Sequence, residues 1–262
     1  MRCNVCDLVV SNDFCIGCGV CAGLCPHGML EMAFNPYGEY APVQRADCPR
    51  HACGLCLRVC PFSGQGSAEA SLAATLFSAV PGIHHRAETG YYLACHVGYS
   101  QVANHRARGA SGGLTTWFLE RLLTDGWVDR VACVTAYPDP TCLYRYAMMA
   151  DVEQLRRSAG SCYYPVEMSE VIREMLAVEA RYAIVCLPCF AKALRLAMDE
   201  NRRLRKRVVV VVGLVCGQMK SRSFAEYLVA SRGGDLHSLT QVPVSYTHLR
   251  AHETPEHLVC RL

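Results

Sequence analysis

With 262 residues, 52% of them hydrophobic, the chain has room for one large domain or two modest ones with a substantial core. A net charge of +3 with 19% charged residues, and no long basic run, argues against a nucleic-acid surface. The most apolar stretch, Val208 to Cys216, is far shorter than the ~20 residues of a membrane span, and Met1-Arg2-Cys3-Asn4 lacks the apolar core of a signal peptide, so a reducing cytoplasmic setting is expected.

In such a setting the 18 cysteines are more economically explained as metal ligands than as disulfides. Ten of the 18 lie in the first 60 residues. Cys15, Cys18, Cys21 and Cys25-Pro26 form the C-x2-C-x2-C-x3-C-P run of bacterial ferredoxins. Three closely spaced thiolates wrap one cubane, glycines let the backbone pass near its sulfides, and the fourth cysteine turns away to the other cubane. Cys48, Cys53, Cys56 and Cys60-Pro61 repeat the pattern with a first gap of four residues rather than two. The crossed rule assigns Cys15, Cys18, Cys21 and Cys60 to one 4Fe-4S cluster and Cys48, Cys53, Cys56 and Cys25 to a second. Zinc also uses paired C-x2-C, but in separated knuckles rather than in two such runs ending in Cys-Pro. Cys3 and Cys6 read as spare thiols.

Between the motifs, Met29–Met32 and Tyr40–Val43 are predicted as short strands around the turn Asn35-Pro36-Tyr37-Gly38. A loop over Pro61–Gly66 and an alanine-rich helix over Ser67–Val80 follow. The remainder alternates: helix Leu114–Leu123, strand Val128–Ala136, amphipathic helix Met168–Val178, strand Tyr182–Leu187 ended by Pro188, helix Ala191–Met198, and strand Val208–Val212. The valine run suits a strand covered on both faces, and the alternation predicts an α/β layered sheet. Arg202, Arg203, Arg205, Lys206 and Arg207 read as a solvated helix end.

Gly109-Ala110-Ser111-Gly112-Gly113-Leu114-Thr115-Thr116 opens the first of those helices, with Arg106 and Arg108 just upstream. Such a turn can present backbone N–H groups to an anion such as a cofactor phosphate; a plain N-cap at Ser111 explains it equally well. Cys186, Cys189 and Cys216 fall at strand ends, where buried inert thiols are the plain expectation.

Four segments in order give the body a resemblance to the family of coenzyme F420 hydrogenase/dehydrogenase beta subunits. These are Ser111–Thr115 leading to Asp125-Gly126-Trp127-Val128-Asp129, Ala159-Gly160-Ser161-Cys162-Tyr163, Leu187-Pro188-Cys189-Phe190, and Gly213-Leu214-Val215-Cys216-Gly217. With the ferredoxin head, the resemblance spans roughly residues 10–240. It implies FAD, held by Arg106, Arg108, Ser111, Gly112, Gly113 and Thr115. It also implies that Cys189 and Cys216 ligate a third 4Fe-4S cluster, whose other two ligands the family takes from a downstream Cys-x2-Cys that this sequence lacks after Cys216. Cys162 stands where the family usually has lysine, and Phe190 where it has glutamine. The implied fold class is α+β / α/β, a small two-cluster ferredoxin-like domain followed by an α/β layered flavin domain. The implied function is an iron–sulfur flavoprotein oxidoreductase that passes electrons between clusters and a two-electron carrier such as coenzyme F420. Its expected partners are a redox protein or hydrogenase/dehydrogenase subunits and a small-molecule electron carrier. A ferredoxin-type electron-transfer subunit without catalysis is the alternative.

The domains expected are 1–66 for the dicluster module, 67–85 for a linker helix, 86–242 for an incomplete family body, and 243–262 for a non-native tail resembling a translated adapter. On that expectation His248, His252, His257 and Cys260 are not a metal site.

Overall fold

The computed structural model describes residues 4–48, 53–139 and 141–236. A π-helical turn over Cys6–Val10 leads into the first cysteine loop, which ends in α1 (Val20–Leu24). β1 (Leu30–Phe34) and β2 (Tyr40–Gln44) then form the antiparallel hairpin predicted around the Asn35–Gly38 turn. Its turn closes because the Asn35 side chain accepts the N–H groups of Tyr37 and Glu39, both at 3.0 Å, the turn-forming habit of that residue. The second cysteine loop ends in α2 (Leu55–Arg58). α3 (Glu69–Phe77) follows, then a small hairpin of β3 (His84–Arg86) and β4 (Gly90–Tyr92).

After α4 (His105–Arg108) and α5 (Leu114–Thr124), the main sheet begins with β5 (Arg130–Ala136) and β6 (Tyr144–Met149). A short connection forces β6 to return antiparallel beside β5. α6 (Val152–Arg157), α7 (Ser169–Ala177), β7 (Tyr182–Cys186), α8 (Pro188–Glu200), α9 (Arg202–Arg207), β8 (Val208–Gly213) and α10 (Arg222–Ala230) complete the order. The sheet runs β6-β5-β7-β8, with β5, β7 and β8 parallel. The architecture is therefore mixed helix and sheet.

Alternate residues of the strands point to opposite faces. Ala132 and Ile184 join a large core with α1, α2, α7 and α8. Val131, Cys133 and Ala183 join a smaller one with Leu119 and Leu122 of α5 and Leu155 of α6. Val5, Val20, Leu24, Leu57 and Val59 of the cysteine-rich head belong to the same core as Met168, Ile172, Phe190 and Leu194 of the body. No helix among the described residues is long and apolar enough to cross a membrane.

Two expectations change and one is qualified. Among the described residues β8 lies at the end of the sheet, with Val211 packed on the large core and Val210 and Val212 on the small one, so both faces are engaged, while Val209 at its start is 49% exposed. An apolar run alone cannot separate a central strand from an edge strand. Pro188 does not merely end β7; it is the first residue of α8, where its missing N–H costs nothing. The basic run is a helix of its own, α9, capped by the Asn201 side chain. Arg205 and Arg207 serve the ends of neighbouring helices, Arg205 donating to Met198 and Asp199 carbonyls and Arg207 to those of Met175 and Leu176.

Candidate functional site

Gly19, the cap of α1, has φ +77°, and a side chain there would collide with the Glu167 carboxylate. Glycine alone lets the loop carrying Cys18 and Cys21 press so closely on the entry to α7. Met168 N–H fixes that approach by donating to the Cys18 carbonyl at 2.9 Å.

Thiols of the two motifs lie near one another. Burial pushes Cys21 far above the ordinary thiol range, and Cys18, Cys15 and Cys60 beside it push further. Cys18, raised by burial, also faces Cys15 and Cys60. Cys15, raised by burial, faces Cys60. On the other side Cys56, again raised by burial, faces Cys53 and Cys25. Cys60 is thus a neighbour of the first motif and Cys25 of Cys56, while Cys21 also has Cys56 near it. Crowded, buried thiols resist ionisation unless a cationic core compensates them. The Gly17 N–H, 3.4 Å from Cys15 Sγ, favours that thiolate, and Met29 N–H lies 3.3 Å from Cys25 Sγ. This donor set fits iron–sulfur cubanes. Among the described residues, no three or more His, Cys, Asp or Glu converge to hold a single metal ion; a cubane instead takes thiolates spread around its own bulk.

Cys48 is half-buried, and the wide gap after it falls on residues 49–52, outside the described residues. Cys6 is half-buried, donates to the Pro42 carbonyl at 3.4 Å and is pushed to about 11 by burial. Cys3 lies outside the described residues, as do His248, His252, His257, Cys260 and the whole 243–262 segment.

The strand-end cysteines divide. Cys186 is fully buried, pushed up to about 12 by burial, with its thiol 3.9 Å from Met168 Sδ; it is a core residue. Cys189, in the first turn of α8, is raised by burial but faces Cys216 and receives the Phe190 N–H. Cys18 in turn feels Cys189. Cys189 thus has both Cys18 and Cys216 among its neighbours. Phe190 points into the core, completely buried, so the departure at that position is a packing feature.

At the glycine loop, Gly113 rather than Ser111 caps α5, with φ +72° and no side-chain cap. A side chain at Gly113 would strike the His105 carbonyl. Ser111 and Thr115 are exposed. Arg106 lies over the Tyr99 ring at 4.0 Å, and Ser100 N–H donates to the Gly112 carbonyl at 2.8 Å. Of the expected flavin residues, Arg108 alone lines a cleft here, of about 80 Å³, together with Asn104, His105, Thr116 and Arg156. Sequence reasoning missed these last four and Arg157. The available signal was the Arg156-Arg157 pair directly before the Ala159–Tyr163 segment. Cys162 is half-buried and pushed to about 12 by burial, close to Cys133.

Two family models, the N-terminal and C-terminal parts of the coenzyme F420 hydrogenase/dehydrogenase beta subunit, match residues 95–173 and 179–259. A 4Fe-4S binding domain model matches residues 8–31. The C-terminal match runs through most of the segment expected to be foreign. The chain is 23% identical to a subunit of the F420H2 dehydrogenase of Methanosarcina mazei over 79% of its own length and 54% of that protein. It is 25% identical to coenzyme F420-dependent sulfite reductase of Methanocaldococcus jannaschii over 90% of its own length and 36% of the reductase. A ferredoxin of the same organism, itself uncharacterised, is 34% identical over 21% of this chain and 69% of the ferredoxin. The chain thus spans about half and about a third of the two larger relatives.

Proposed function

We propose, since the chain belongs to the family of coenzyme F420 hydrogenase/dehydrogenase beta subunits and carries a 4Fe-4S binding domain, that it is an iron–sulfur flavoprotein oxidoreductase linking clusters to a two-electron carrier. The observation that carries this reading is the proximity of the thiols. Cys15, Cys18, Cys21 and Cys60 are neighbours, as are Cys25, Cys53 and Cys56, and Cys189 lies near both Cys18 and Cys216; with Cys48 added to the second group, these are proposed as the ligands of two clusters. Cys189 and Cys216 are proposed as two ligands of a third cluster. FAD, when bound, supplies the exchange between one-electron and two-electron carriers. Arg106, Arg108, Ser111, Gly112, Gly113 and Thr115 are proposed to hold it, beside the α/β layers of residues 86–242. Coenzyme F420 is the proposed carrier, and hydrogenase- or dehydrogenase-type subunits are the proposed partners.

The test is anaerobic purification with iron, sulfide and flavin analysis. About eight iron and eight sulfide per chain with bound FAD is expected, since two cubanes carry four of each. In a version extended to the length of the larger relatives, about four more of each should appear and be lost in Cys189→Ser. Clusters without flavin would reduce the chain to an electron-relay subunit. Iron unchanged in Cys189→Ser would leave that residue a core thiol.

A further inference from the structure

Beside the glycine loop, Arg108 of the expected flavin contacts is joined by two arginines that those contacts do not include. Arg108 from α4 and Arg156 and Arg157 from α6 line an open groove of about 350 Å³. It adjoins the 80 Å³ cleft walled by Asn104, His105 and Thr116. Among the described residues, no carboxylate lines either space.

The arginines are held differently. Arg156 is forked on Glu120, with Nε 2.8 Å from Oε2 and Nη2 2.6 Å from Oε1. His105 Nε2 stands 3.0 Å from the same carboxylate, yet it is not aligned to hydrogen-bond. Arg157 reaches Glu153 only at 3.7 Å, with both side chains largely exposed, and Arg108 is exposed. One guanidinium is therefore preset by a buried carboxylate and two are available. Glu120 neutralises Arg156, so Arg108 and Arg157 leave the groove electropositive, and an anion there is favoured. Their planar forks match the paired oxygens of a phosphate better than a point charge does. Thr116 adds a hydroxyl from the first turn of α5, whose cap Gly113 leaves the helix N–H groups without a side-chain partner.

We propose that this groove binds a phosphate group, as pyrophosphate or phosphodiester, through Arg108, Arg156 and Arg157. Its source is either the flavin pyrophosphate, which rests on the reading above, or a phosphate on the two-electron carrier.

Binding of inorganic pyrophosphate, FAD and riboflavin to the full chain, wild type against Arg157→Ala and Arg108→Ala, tests this. Both residues are exposed, so neither substitution threatens the fold, which circular dichroism checks. Each substitution is expected to weaken pyrophosphate about tenfold, the size of one charge-assisted contact, and to leave riboflavin, which lacks phosphate, unaffected. An equal loss for FAD assigns the groove to the flavin; FAD unchanged with pyrophosphate weakened assigns it to the carrier. A wild type that binds pyrophosphate through these arginines but neither flavin removes the flavin reading and leaves the groove standing. Pyrophosphate that does not bind, or binds both variants as it binds the wild type, overturns the proposal.

Discussion

Glu120 ties together three helices of the body. It is buried in α5, takes two N–H groups from Arg156 on α6, and lies against His105 on α4. The Arg156 hydrogen bonds hold its carboxyl below the usual carboxylate range. A lowered folded-state pKa stabilises the protein above the unfolded value, about 4.3, and that gain is lost as pH falls through the lowered value. Glu120→Gln is therefore expected to cost about 1 kcal/mol at pH 7, with the gap from wild type closing below about pH 4. Thermal midpoints of both proteins across that range check it; a constant gap would mean that packing, not charge, is lost. Residues at this scale were only partly legible. The sequence offered Ser111 as the cap of α5, whereas Gly113 takes that place, pressed against the His105 carbonyl. Arg156 could not be joined to Arg108 from sequence, because only the fold brings α4 beside α6.

Among the elements, α8 binds the head to the body. Its buried positions Phe190, Ala193, Leu194 and Ala197 follow the helical repeat, and Phe190, Ala193 and Leu194 are fully inaccessible. Arg58 of the head reaches Glu200 at its far end, at 3.0 Å. Phe190→Ala removes a whole ring from a closed site and is expected to cost about 3–5 kcal/mol, measured by denaturant unfolding of the wild type and the variant. A cost under 1 kcal/mol would show the site open to water. α7 and the β1–β2 hairpin were legible because strong periodicity and an Asn-Pro-x-Gly turn both act locally. β6 was not, since Tyr144–Met149 mixes arginine with aromatics and gains its place only by pairing with β5. The edge position of β8 was hidden for a related reason: what lies beside a strand is not written in the strand.

Taken whole, the head is not an appendage, because its buried residues belong to the body's core. The 4Fe-4S binding domain was the most legible part of the molecule, since cubane chemistry dictates the spacing of cysteines directly. The groove was the least legible, being a meeting of distant helices. The two cysteine sets are unequally sheltered. Cys18 and Cys21 are buried against α7, with Cys15 and Cys60 half-buried, whereas Cys25, Cys48, Cys53 and Cys56 are all half-buried. In the proposed arrangement this asymmetry gives the protein a weather side. Dioxygen should reach the cubane on Cys25, Cys48, Cys53 and Cys56 first, so that controlled aeration removes about half of the iron of the two head clusters in a fast phase and the rest slowly. Iron release followed together with cluster absorbance would show the two phases; a single phase would mean that both cubanes meet solvent alike. The same exposed side is where an electron donor could approach the chain without first displacing any of it.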